Sequence, residues 1–390
     1  MEKPKMSLNT KLLGIASFFV DISSEMIYPL LPFFLTTVLA GPVFVLGLME
    51  SLAELIVSIT GIISGLYSDK IGKRKKIIIF GYSISALFKI LLFYVATWPQ
   101  LLLLRSIERI GKGVRDVPRD ALIGLSEEKS NLGKAFGFRK FLDNAGAIIG
   151  PLLATVLISI LYNGTQNGDS YRAIFLISVI PAAIAVLFLL FLKDHHTEKT
   201  PVKKIVLDVF RTGQFRQFMV SGIVFSLGHF SMMFFLLRSN DFVPLVLVPV
   251  LYLVYNSFYT LFSMPAGILA DKLGAKKLLL TGMCCFLIAV FGFAFFPSLP
   301  VIFACFAFIG FFMAIAETAP QVLLIKTTKD NMYASAIGAY KGVSGMIAFP
   351  ANLIAGVLYT VTIFGSPGTF VFSIITTAVA VVLLAVLVKE

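Results

Sequence analysis

Between Arg105 and Asp120, eight of sixteen residues are ionisable, and Arg105, Glu108, Arg109, Lys112, Arg115, Asp116 and Arg119 recur in steps of three and four. On a helix this spacing draws one charged stripe, with Glu108 to Lys112 and Lys112 to Asp116 as i,i+4 pairs. Other acids stand isolated in apolar surroundings: Asp21, Glu25, Glu50 and Glu54 before the stripe, Glu317 far beyond it. His229 is the one histidine inside an apolar run. Such groups can hold a charged solute, carry a proton or lock helices together as ion pairs, and spacing alone leaves all three uses open. The sequence has no zinc spacing, no Gly-rich phosphate loop followed by Lys-Ser/Thr and no recognisable nucleophile with its base. Metal, cofactor and enzyme chemistry are therefore not expected.

The elements that must position these charges belong to a membrane. The chain is 58% hydrophobic and only 14% charged, whereas about a quarter of a soluble domain is charged. Runs of about 20 apolar residues suffice to span a bilayer, and twelve are read along the chain, the first at 11 to 38, the fourth at 98 to 124 and the seventh at 216 to 238. The expected fold is an all-α polytopic membrane protein with an N-terminal six-helix bundle over 1–192, a cytoplasmic linker over 193–214 and a C-terminal six-helix bundle over 215–390. Lysines and arginines collect on one side, with only Arg172 and Arg238 on the other, so both termini are expected in the cytoplasm and the protein in the cell membrane. The net charge of +12 then points to anionic lipid rather than to nucleic acid. Cys284, Cys285 and Cys305 fall in apolar runs and read as packing residues.

An ionised side chain at mid-membrane costs about 2.5 to 3.5 kcal/mol, so each needs a partner or a wet cavity. At 1.5 Å per residue, Glu25, Glu50 and Arg105 fall about 10 to 12 Å deep, with Asp21, Glu54 and Arg109 near the midplane. Residues 242 to 270, 278 to 316 and 342 to 388 carry no Asp, Glu, Lys or Arg, so charge chemistry is expected mainly in the first bundle.

One loop occurs twice. Gly65, Asp69-Lys70, Gly72 and Lys73 to Lys76 return 202 residues later as Gly267, Asp271-Lys272, Gly274 and Lys276-Lys277. A glycine at each first helix end permits close approach of a neighbour, the second glycine can take positive φ, and the aspartate can sit by a helix N-terminus. Pro118 and Pro320 share the same offset, while an offset of 208 sets Asp21 against His229. The motif Gly-x-x-x-Asp-Lys-x-Gly-x-Lys/Arg-Lys/Arg closely resembles the loop of the major facilitator superfamily of transporters.

The resemblance extends further. Arg105-x-x-Glu108-Arg109-x-Gly111-x-Gly113 is similar to that family's fourth-span motif, with Glu108 and Arg109 in place of glutamine and glycine. Gly146-x-x-x-Gly150-Pro151 resembles an element of its antiporters, and Pro29-x-x-Pro32 a signature of its twelve-span drug exporters. The resemblance implies two like-oriented six-helix repeats, and a monomeric secondary active transporter working by alternating access. It implies proton-coupled antiport and the efflux of an amphiphilic or drug-like compound; the titratable groups inside the membrane, Asp21, Glu25, Glu50, Glu54, Arg105, Glu108, Arg109, Lys112, His229 and Glu317, are then the candidate substrate or proton-coupling residues. Conformational gating would fall to Gly65, Asp69, Gly72, Gly146, Gly150, Pro151, Gly267, Asp271 and Gly274. A second transporter reading is proton-coupled uptake of an organic anion or metal chelate, with Arg105, Arg109 and Lys112 as counter-charges. A membrane-embedded enzyme or receptor is the reading from another class.

Overall fold

The computed structural model describes residues 6–128, 131–161, 168–194, 213–327, 333–360 and 365–388, and among them every regular element is helical. Helix α1, Leu8–Val38, begins where the Ser7 hydroxyl accepts from the Thr10 amide. It tightens into a 3-10 turn at Tyr28–Leu30 and widens into a π turn at Phe34–Val38. Pro29 and Pro32 lie in or beside this irregular stretch, since neither has the amide proton that a regular helix would use. The chain continues through α2 (Phe44–Ile71), α3 (Lys75–Leu92), α4 (Trp98–Ser126), α5 (Leu132–Leu161) and α6 (Asp169–Leu190). The later helices are α7 (Gly213–Ser239), α8 (Val248–Leu273), α9 (Ala275–Phe295), α10 (Leu299–Thr327), α11 (Tyr333–Thr360) and α12 (Gly365–Leu387).

Among the described residues ten stretches are long and apolar enough to cross a membrane. Helices α3 and α4 are outside that set: α3 carries Lys75, Lys76 and Lys89, and α4 carries the charged stripe. They hold the places of the third and fourth expected spans, so the count of twelve rests on these two helices.

The helices fall into two compact units, Met1–Gly41 with Leu52–Val202 and Pro42–Ser51 with Lys203–Glu390. The start of α2, through Ser51, therefore groups with the second unit. In the first unit α1 packs on α5 and α6, and α3 on α4. Its core includes Leu13, Ala16, Ile78, Tyr82, Leu122 and Leu189. In the second unit α10 packs on α8 and α9, and α12 on α7 and α9. Phenylalanines dominate there: Phe293 stacks on Phe370 at 5.5 Å and meets Phe235 edge-on at 5.1 Å, all three fully buried.

Both copies of the loop reverse on a glycine with positive φ, 69° at Gly72 and 93° at Gly274. The side chains of Asp69 and Asp271 lie outside the described residues. The carboxylate found at the start of α3 is Asp194, which accepts from the Arg74 amide at 3.0 Å. Lys75 Nζ donates to the Leu190 carbonyl at 2.7 Å, and Lys276 Nζ repeats the contact on Ala385 at 2.8 Å. The two glycines before the loops differ. A Cβ on Gly65 would come within 2.8 Å of Val117, but one on Gly267 would meet nothing within 4 Å. Most of the expected linker at 193–214 lies outside the described residues.

Candidate functional site

Helix α4 carries the stripe because its N-terminus is well fixed. Thr97 and Gln100 form a capping box and Pro99 sits in the first turn, both strong helix starters. One face then turns Arg105, Glu108, Arg115 and Arg119 into the first unit, where all four are buried. The pairing differs from the i,i+4 expectation. Among the described residues Lys112 pairs with neither Glu108 nor Asp116; Glu108 takes Arg105 at 2.7 Å and Arg109 at 3.7 Å, and Asp116 takes Arg119 at 3.1 Å and Arg115 at 3.7 Å. The reason is reach: an arginine fork satisfies a carboxylate one turn away better than a lysine point charge.

The lattice spreads onto neighbouring helices. Arg115 donates to Ser85 Oγ at 2.7 Å and lies 4.4 Å over the Tyr82 ring. Arg139 of α5 holds Asp143 at 3.0 Å and approaches Asp120 at 3.8 Å. Lys89, fully enclosed on α3, donates to Ser23 Oγ at 2.7 Å and Ser24 Oγ at 3.0 Å, and lines a small cavity with Arg105 and Glu108. Lys89 is missing from the expected site; an isolated charge in the otherwise apolar run of α3 was the available signal.

Asp21 and Glu25 lie where α1 meets α5. A Cβ on Gly146 would come within 2.9 Å of Asp21 Cβ, and one on Gly150 within 2.7 Å of Glu25 Cβ. The small residues of Gly146-x-x-x-Gly150-Pro151 thus make room for two acids at helix contact distance. Asp21 is partly buried and makes no hydrogen bond or ion pair among the described residues; its charged neighbours are Asp143, Glu25, Lys112 and Arg115. Glu50 and Glu54, expected at the depths of Arg105 and Arg109, differ in burial. Glu54 is exposed, and Glu50 is buried in the second unit, accepting from Ser231 Oγ at 3.1 Å.

Helix α7 of the second unit is broken at His229–Ser231. Ser231 restarts the helix by accepting from the Met233 amide at 3.2 Å, and Asn352 Oδ1 takes the Ser231 amide at 2.7 Å. His229 stands in the break among Phe225, Phe286 and Phe312, with ring centroids 5.3 to 5.6 Å away, and neither ring nitrogen has a hydrogen bond among the described residues. Phe225 and Phe312 also line an apolar cavity with Phe218, Met283 and Tyr340. On α10, Glu317 is exposed and accepts from the Tyr259 hydroxyl of α8. Tyr252, Tyr255 and Tyr259 form a row along α8 that the charge-based reading overlooked, although their spacing of three and four is plain in the sequence.

Outside the spans, Glu127 ends α4 as a well-held anion. Slight burial pushes its pKa up, but hydrogen bonds from Thr10, the Ser7 amide and Asn131 outweigh it and hold the carboxyl below its ordinary range.

The model of the Major Facilitator Superfamily matches residues 13–250 and 239–390. An uncharacterized MFS-type transporter of Methanocaldococcus jannaschii is 36% identical over 371 residues, 92% of this chain and 90% of that protein. A mutant of the nucleoside transporter NupG has a similar fold, with a TM-score of 0.81 at 14% identity, covering 98% of this chain and all of that one. A D-xylose-proton symporter gives a TM-score of 0.75 at 16% identity, covering 98% of this chain and 97% of the symporter.

Proposed function

The chain belongs to the major facilitator superfamily and is a multi-pass membrane transporter of a small molecule; on that premise we propose that it is a proton-coupled exporter of amphiphilic or drug-like compounds. Twelve spans in two six-helix repeats alternate between inward and outward openings, with both termini in the cytoplasm of a cell-membrane monomer. The observation that carries the reading is the state of Asp21. In the first unit Glu108, Asp116, Asp120 and Asp143 are each held by an arginine, whereas among the described residues no arginine forms an ion pair with Asp21. An acid inside a span without an arginine clamp can be emptied and filled by a proton at low cost to the lattice around it. The charge change biases one opening against the other. Everted vesicles test this: a pH gradient drives accumulation of a drug-like probe, and Asp21→Asn abolishes it while the protein still elutes as a folded species. Gradient-driven accumulation unaffected by Asp21→Asn contradicts the coupling role.

A second reading, uptake of an organic anion, is favoured by one feature. The cavity at Lys89 presents two cations, Lys89 and Arg105, to the single carboxylate of Glu108. The sign of the transported probe's charge and the direction of its flux separate the two.

A further inference from the structure

We infer that the cavity walled by Ser24 of α1, Lys89 of α3 and Arg105 of α4 is a binding site for one small inorganic anion, chloride under ordinary conditions. The anion is a fixed part of the charge lattice and not cargo, so the inference goes beyond the transport readings and stands or falls apart from them.

A buried cation without an anion of its own is the first observation. Lys89 is only 2% exposed and lies in the last turn of α3, where the helix macrodipole favours positive charge. Its Nζ donates to Ser23 Oγ at 2.7 Å and to Ser24 Oγ at 3.0 Å, and it forms no ion pair among the described residues. An ammonium has three protons to donate, so one is left for the cavity that Lys89 lines. Ser24 lines it too: its oxygen accepts from Lys89, and its own proton has no acceptor among the described residues.

The second is Arg105, 8% exposed on the same cavity. One terminal nitrogen holds Glu108 at 2.7 Å, but its Nε is buried with no hydrogen-bond partner among the described residues. Buried donors without acceptors are uncommon. Here they meet from three helices around one void, and an anion is the ligand that takes several donors and offers none.

Charge and size complete the case. At the cavity Lys89 and Arg105 face a single carboxylate, Glu108, whose Oε2 is shared by Arg105 and, at 3.7 Å, by Arg109. Arg115 and Asp21 are the next charges facing Lys89; Arg115 is 3.7 Å from Asp116, and Asp21 forms no ion pair among the described residues. Glu25 follows Ser24 on α1 and pairs with neither Lys89 nor Arg105 among the described residues. The void has room for about one water-sized body. Water there adds no charge, whereas chloride, little larger, supplies the negative charge that the cavity wall lacks.

The test uses the full chain purified in detergent, at fixed pH and ionic strength, with chloride exchanged for gluconate, an anion too large for the void. The chlorine NMR line should broaden in the presence of wild-type protein, with added bromide reversing the broadening, and the thermal midpoint should rise with chloride concentration. Lys89→Met should weaken chloride binding at least about tenfold, a change of at least about 1.4 kcal/mol. Lys11→Met, which removes an exposed lysine, should leave it unchanged. A wild-type protein that gives no bromide-reversible broadening overturns the proposal, as does broadening that survives Lys89→Met in a monodisperse sample. If Lys89→Met fails to fold, Ser24→Ala decides: it removes a donor and no charge, binding should weaken, and unchanged binding overturns the site. With no substrate or pH gradient present, failure here leaves the export reading intact, and failure of Asp21 as the coupling group leaves this site intact.

Discussion

The two units solve the same packing problem with opposite materials. The first holds its centre with arginine forks on carboxylates, Arg105–Glu108, Arg119–Asp116 and Arg139–Asp143. The second uses stacked phenylalanines such as Phe293 on Phe370, and keeps Glu317 at an exposed position. The proposed function gives the contrast a use. A lattice of charges can register a proton; a set of aromatic walls can accept solutes of varied shape, because π faces and dispersion contacts ask little of geometry.

The sharpest way to break this comparison is to neutralise one carboxylate in each unit. Glu108→Gln takes from buried Arg105 the carboxylate it holds at 2.7 Å, a loss expected at about 3 to 5 kcal/mol, and it should lower the thermal midpoint severely. Glu317→Gln, at an exposed position, should cost under about 1 kcal/mol. Equal losses in circular-dichroism melts would show the units to be alike in this respect. A smaller effect tests helix contact. Gly150→Leu drives side-chain atoms into Glu25 and the Ile22 carbonyl, costing about 1 to 3 kcal/mol. Gly267→Ala enters open space and should gain about 0.5 to 1 kcal/mol of helix propensity. The smallest effect is at Glu127. Its depressed pKa means that its contribution to stability is fully present above the ordinary carboxylate range and is lost as pH falls through the folded value. Glu127→Gln should slightly lower the neutral plateau of a melt-versus-pH profile and flatten its acid limb, with the difference from wild type closing as pH falls.

Much of this architecture was legible in the residues. Apolar runs locate helices because only a self-bonded backbone survives in lipid, and the Gly72 and Gly274 reversals follow from a need for positive φ that glycine meets most easily. The close approach at Gly146 and Gly150 was likewise readable from small residues one turn apart. The partners were not. A stripe of seven charges on α4 admits many pairings, and side-chain reach, not sequence spacing, assigned Glu108 to Arg105 rather than Lys112. Depth counting put Glu50 level with Arg105 and named no partner; the start of α2 groups with the second unit, where the carboxylate accepts from Ser231. The tyrosines of α8 went unread because aromatic residues in a span usually mean packing, and only their junction with Glu317 distinguishes them.

Proton coupling as proposed turns most on Asp21 as the group that changes charge. Currents recorded on a solid-supported membrane after a pH jump, in proteoliposomes loaded with a transported probe, measure this directly. Wild-type protein should give a probe-dependent proton current and Asp21→Asn none; a current of undiminished size and pH dependence in the variant would contradict it.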